Sequence, residues 1–148
     1  MMESSPIHPA ILVVDDEPGL RALLQWELGS RGMIVQSARN GTEAAEMVRE
    51  RRFDVVITDL SMPQGDGLSV LENMQQLYPG APVIIATGFS TVEAAVYAMQ
   101  QGAYDVILKP LDLEALVVRI HGALRYRHQC RTCGAALPSK TIIRGDPL

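Results

Sequence analysis

Two cysteines, Cys130 and Cys133, are all that 148 residues carry, and they stand close together. That number excludes a disulfide framework. No run approaches the ~18 consecutive apolar residues of a membrane-spanning helix, so no transmembrane segment is expected. Residues 1–10 hold neither a basic region nor an apolar segment of signal-peptide length. The cytoplasm is therefore the expected location. Basic residues do not cluster, and the formal net charge is −4, so this segment is not expected to bind nucleic acid. Internal repeats, low-complexity tracts and the Gly-Lys-Ser/Thr loop that cradles nucleotide phosphates are missing as well.

What is present is ordinary for a soluble globular domain: 47% hydrophobic and 20% charged residues. The length allows one domain with a real core. Along it, strand and helix signals alternate five times. Residues 11–14 are a short β-branched run, read as a strand buried on both faces. Glu17 and Pro18 open a helix, since proline suits the first turn. Leu20, Leu23, Leu24 and Leu28 give it one apolar face, and Gly32 ends it. Met33-Ile34-Val35 is a weaker second strand. Asn40 caps a second helix, with Glu43 placed as in a capping box and Ala44, Met47 and Val48 facing inward. Residues 55–58 form a third strand, and Pro63, Gly65 and Gly67 mark the loop after it. The third helix turns Leu68, Leu71 and Met74 inward and stops before Pro79-Gly80.

Residues 83–86 make the fourth strand. Thr91 caps a fourth helix that carries Val92, Ala95, Val96 and Met99 at i, i+3, i+4 and i+7. Residues 104–108 make the fifth strand, which Lys109-Pro110 ends. Asp112 caps the last helix, whose stripe is Leu113, Leu116, Val117, Ile120 and Leu124. This alternation predicts an α/β fold: a doubly wound, flavodoxin-like (βα)5 parallel sheet. Right-handed crossovers favour the strand order 2-1-3-4-5. The expected organisation is an N-terminal tail over 1–9, one domain over 10–126, and a linker or tail over 127–148.

Polar residues stand where the apolar strands stop. The first strand runs into Asp15-Asp16, the third into Asp59, the fourth ends at Thr87, and the fifth ends at Lys109. In open α/β sheets, ligands bind at the carboxyl ends of strands. With the first and third strands adjacent, three carboxylates, a hydroxyl and an ammonium share one cleft. Carboxylates that close repel one another, and a divalent cation relieves the repulsion. Oxygen donors without a nearby histidine or cysteine favour Mg2+, with Mn2+ as an alternative, over zinc. A carboxylate can also act as a nucleophile toward phosphorus, which requires cations around the phosphoryl oxygens. Asp59, at the middle of the sheet and followed by a loop, is the best nucleophile. Lys109 can supply the ammonium and Thr87 the hydroxyl.

The spaced set resembles the receiver domain of two-component response regulators. It consists of Asp15-Asp16, then Asp59-Leu60-Ser61-Met62-Pro63 with Gly67, then Thr87-Gly88 and Lys109-Pro110. Thr87-Gly88 through Gly102-Ala103-Tyr104-Asp105 is most similar to receivers of the NtrC type. The resemblance covers about residues 10–124. It implies that Asp59 accepts a phosphoryl group from a histidine kinase or phosphotransfer protein, and that self-hydrolysis later removes it. This makes the chain a phosphoacceptor rather than a conventional enzyme. It implies metal binding by Asp16, Asp59 and the main-chain carbonyl of Ser61, with Asp15 acting mainly through metal-bound water. Thr87 and Lys109 would read the phosphoryl group, and the Lys109-Pro110 bond would be cis. The output face would be the fourth helix, fifth strand and fifth helix, where Val96, Tyr97 and Met99 could meet a partner or a second copy. Transcriptional regulation is the expected output, through a domain that these residues are too few to hold. Ile142-Ile143-Arg144-Gly145-Asp146-Pro147 loosely resembles the start of the ATPase that follows NtrC-type receivers, which favours a fragment of a longer regulator.

One position departs from the pattern. Receivers often carry Tyr or Phe three residues before the lysine, and here that residue is Val106. Tyr104, two residues earlier, would share its face in a regular strand. A haloacid-dehalogenase-type phosphatase needs a second aspartate two residues after the nucleophile, and Ser61 stands there instead. The rivals left open are a receiver fold used only for docking and the receiver of a hybrid kinase. Near the end, Cys130-x-x-Cys133 with His121 and His128 could hold zinc. Because the Cys-x-x-Cys pattern alone recurs by accident, two free thiols in a reduced linker are the expected state. Trp26 is expected to pack or to lie at the surface.

Overall fold

The computed structural model describes residues 8–60, 67–88 and 92–133. Five strands and five helices alternate: β1 (Ala10–Val14), α1 (Pro18–Gly29), β2 (Ile34–Ala38), α2 (Gly41–Glu50), β3 (Val55–Thr58), α3 (Gly67–Leu77), β4 (Val83–Thr87), α4 (Val92–Gln100), β5 (Asp105–Leu108) and α5 (Leu113–Cys133). The sheet has the order β2-β1-β3-β4-β5, and every pairing is parallel. This is the doubly wound, flavodoxin-like arrangement expected from the alternation.

The middle strands follow from their composition. A parallel strand between two helical layers must be apolar on both faces, and β1, β3 and β4 are almost wholly buried. Alternate residues then feed two separate cores. Leu12, Val14, Val56, Val83 and Ile85 face one side, where they meet Ala44 and Val48 of α2, Leu71 and Met74 of α3, and Ala98 of α4. Ile11, Val13, Val55, Ile57 and Ile84 face the other, against Leu24 and Leu28 of α1 and Leu116 and Ile120 of α5. Edge strands β2 and β5 are less buried, which suits their polar residues.

Helix starts follow local chemistry. Pro18 occupies the first turn of α1. Asn40 accepts a hydrogen bond from the N–H of Glu43 at 2.8 Å. The Glu43 carboxylate in turn accepts from the N–H of Arg39 at 2.6 Å. The first bond satisfies an orphan donor of the helix; the second reaches back to the residue before the cap, where a capping box would use the N–H of Asn40 itself. Asp112 caps α5 by accepting from Glu114 at 3.0 Å and Ala115 at 3.3 Å. Gly102 takes φ +108, a left-handed turn that favours glycine. Its carbonyl accepts from Gln75 of α3 at 3.2 Å, which ties α3 to the α4–β5 turn.

Several expectations are corrected. Strand β2 runs on to Ala38, because pairing with β1 over its full length outweighs its polar residues. Leu23 of α1 is 46% exposed, since the buried line is Leu24 and Leu28. Helix α4 does not bury its Val92, Val96 and Met99 stripe, which leaves Val96, Tyr97 and Met99 available to a partner. Val92 is 80% exposed and Val96 48%, while Ala98 is fully buried. The small alanine side lets α4 lie close to the sheet, and the larger side chains stay outside. Tyr104 precedes β5 and packs on the α1 and α5 side, its ring centroid 5.2 Å from that of Tyr126. Val106 packs on the opposite side, so the two do not share a face. Helix α5 continues to Cys133. Trp26 is 74% exposed. The Ser61 carbonyl, the loop through Gly65, the Thr91 cap, the Cys130 and Cys133 thiols, the His128 ring and the segment 142–147 lie outside what the structure describes.

Candidate functional site

Register brings the strand ends together. Val14 is paired with Thr58, so Asp15 and Asp59 leave adjacent strands at one level. The N–H of Asp59 donates to the Val14 carbonyl at 3.1 Å, and that of Asp15 donates to the Ala38 carbonyl at 3.1 Å. Thr87 is paired with Leu108, and the Lys109 N–H donates to the Thr87 carbonyl at 3.0 Å. The ladder therefore extends one residue past β1, β3 and β5, onto Asp15, Asp59 and Lys109, while Thr87 is the last residue of β4. Asp15, Asp59 and Thr87 are buried. Asp16 is exposed.

Lys109 crosses the mouth of the cleft from the edge strand. Its Nζ donates to Asp15 Oδ2 at 2.7 Å and to Asp59 Oδ2 at 2.9 Å. The lysine is 20% exposed and its partners 4% and 10%. Burial pulls the Lys109 ammonium down. Its hydrogen bonds and charge attraction to Asp15 and Asp59 outweigh that, and the net shift is upward. The Lys109-Pro110 peptide is cis.

Ligand oxygens of Asp15, Asp16 and Asp59 lie within 4.8 Å of one another. The group consists of carboxylates alone, without histidine or cysteine, and three such donors at that spacing suit a hard divalent cation. They could hold a metal ion, and Lys109 supplies part of the neutralisation by ion pairing. All five residues marked by the sequence pattern and described here, Asp15, Asp16, Asp59, Thr87 and Lys109, meet at this end of the sheet.

Two contacts were not anticipated. The Glu17 N–H donates to Asp15 Oδ1 at 2.9 Å. Arg21 Nη1 donates to the Asp15 carbonyl at 2.7 Å. A signal for the second was available: an arginine in the first turn of a helix opposes the helix dipole, so another partner has to hold it there.

A parallel (βα)5 sheet with an acidic cluster and a bridging lysine at its carboxyl edge defines a class of strand-end acidic sites. The comparisons narrow the class. The model of the response regulator receiver domain matches residues 11–121, and the chain belongs to that family. The chain is 39% identical over 117 residues to response regulator protein PilR of Pseudomonas aeruginosa, covering 79% of this chain and 26% of that protein. It is 42% identical over 118 residues to transcriptional regulatory protein ZraR of Escherichia coli O157:H7, covering 80% and 27%. Among solved structures, NtrX from Brucella abortus aligns with a TM-score of 0.80 at 30% identity, over 86% of this chain and 30% of that one. A CheY-like receiver from Methanospirillum hungatei aligns with a TM-score of 0.79 at 26% identity, over 82% and 98%. The resemblance to NtrC-type receivers thus holds. The chain spans about a quarter of the length of these curated relatives.

Proposed function

We propose that this receiver takes a phosphoryl group onto Asp59 in a Mg2+-dependent reaction, from the phosphohistidine of a sensor kinase or phosphotransfer protein. The observation that supports it is Lys109 Nζ within 3 Å of both Asp15 and Asp59, at the point where three carboxylates converge. A carboxylate oxygen of Asp59 attacks phosphorus. The new P–O bond forms as the P–N bond of the donor breaks, and the histidine leaves with the electron pair. Asp16, Asp59 and the Ser61 carbonyl would hold the metal, with Asp15 acting mainly through water. When bound, Mg2+ (or Mn2+) offsets the charge of the phosphoryl oxygens. Lys109 balances the carboxylates before transfer and pairs with a phosphoryl oxygen after it. Thr87 donates its hydroxyl to another oxygen, and water later attacks phosphorus to regenerate Asp59.

Phosphorylation shifts a pre-existing equilibrium rather than building a new fold. The output surface is α4, β5 and α5. Exposed Val92, Val96 and Tyr97 on α4, with Leu108 and Val118 beside them in the chain order of β5 and α5, support a partner or second copy there. Transcriptional regulation is the output that the relatives' names suggest, and the cytoplasm is the location that goes with a histidine-kinase donor. The test is intact-mass measurement after incubation with Mg2+ and acetyl phosphate. A gain of one phosphoryl group, absent in Asp59→Asn, is expected. No gain with any donor would favour a docking module instead.

A further inference from the structure

We infer that Arg21 is a positioning residue for Asp16. By fixing the peptide between the two acids, it aims the Asp16 carboxylate at the divalent cation; this rests on the reading of the acidic cluster as a cation site. The Asp15 carbonyl that Arg21 holds at 2.7 Å belongs to the peptide joining Asp15 to Asp16. The other two carboxylates have side-chain anchors. Asp15 is held by Lys109 and the Glu17 N–H, and Asp59 by Lys109. Asp16 is exposed, and none of the hydrogen bonds or ion pairs described at the site reaches its carboxylate. Its direction is therefore set through its backbone, and Arg21 is the side chain that grips that backbone.

Helix α1 itself gives Arg21 no reason to be there. Its first turn has no acidic residue, and the Glu17 side chain makes no cap hydrogen bond. A cation at that end opposes the dipole. A bare positive charge beside a cation site would also weaken metal binding. Removing Arg21 for charge reasons alone would thus tighten binding. Positioning predicts the opposite sign, which makes the two effects separable.

Mn2+ is the probe, because a hard cation takes the same oxygens and its free form is counted directly by electron paramagnetic resonance. Titrations use the whole chain, as wild type and as Arg21→Met, each with Asp16 and with Asp16→Asn. Wild type is expected to bind, and Arg21→Met to raise Kd about tenfold, in the lower range for outer-shell partners of metal ligands. In the Asp16→Asn background, Arg21→Met should leave Kd unchanged. Unchanged or tighter binding in Arg21→Met would overturn the inference, and so would an equal loss in both backgrounds. If circular dichroism shows Arg21→Met unfolded, Arg21→Gln, too short to reach the carbonyl, takes its place with the same expectations. Failure of wild type to bind would overturn the cation reading itself. Binding by wild type with an indifferent Arg21 variant would overturn only the role of Arg21.

Discussion

Replacing Lys109 with Met isolates the electrostatics of the cleft. The ammonium lies 2.7 Å from one carboxylate and 2.9 Å from the other. At an effective dielectric of about 20, each pair attracts by about 6 kcal/mol. Desolvation of three groups offsets much of that. Hydrogen bonds to charged groups contribute roughly 1.5–3 kcal/mol each in net terms. Lys109 keeps a fifth of its side chain in water, so the lower end applies and the two together give about 3 kcal/mol. For a domain of this size that is a fall in Tm of about 9 °C. The assay is urea unfolding near neutral pH, in EDTA and then in Mg2+. In EDTA, Lys109→Met should lose about 3 kcal/mol with an unchanged m-value, because two neighbouring carboxylates are left without their cation. Mg2+ should restore most of the loss, since it neutralises the same oxygens. In an Asp59→Asn background, with one partner gone, the loss in EDTA should fall to about half. A loss below about 0.5 kcal/mol in EDTA would rule out a net stabilising role for the Lys109 ion pairs, as would a loss of equal size with and without Mg2+.

The upward shift of Lys109 has a pH signature. A raised lysine contributes stability that is complete below its unfolded pKa of about 10.4 and is lost as pH rises through the folded value. Unfolding free energy measured across that alkaline window should fall in wild type, and this component should be missing in Lys109→Met. Asn40→Ala removes the acceptor for the Glu43 N–H and should cost about 1 kcal/mol in chemical denaturation. On α4, Val96→Glu should change stability by less than about 0.5 kcal/mol. Ala98→Leu should cost about 1–3 kcal/mol by overpacking, and the reverse order would refute the orientation of the helix.

The site was legible because its signal is doubled. Apolar runs too short for helices marked the strands, and each ended on a residue with chemistry. Asp15, Asp59, Thr87 and Lys109 needed the right strand order and register to meet. Helix α4 was not legible in the same way. Its sequence offers two apolar sides, one of alanines and one of Val92, Val96 and Met99. Periodicity finds apolar positions but not which of them the sheet covers. Tyr104 was misjudged because face alternation holds only inside a strand, and β5 begins one residue later. Arg21 was missed because its partner is a main-chain carbonyl, and the one hint in the sequence, a cation in the first turn of a helix, names no partner.

Local chemistry alone determined the three buried middle strands, the caps at Asn40 and Asp112, and the residues that would carry the cleft. These depend on properties each segment has by itself: apolar runs, cap residues and chain breaks. Tertiary structure decided the rest. Only the register of β1 against β3 and of β4 against β5 brings carboxylates 94 and 50 residues away onto one ammonium. Only packing turned the alanine side of α4 inward and set Tyr104 and Val106 on opposite sides of the sheet. These outcomes depend on which surfaces lie close enough to exclude water, and that is a property of the assembled layers rather than of any one segment.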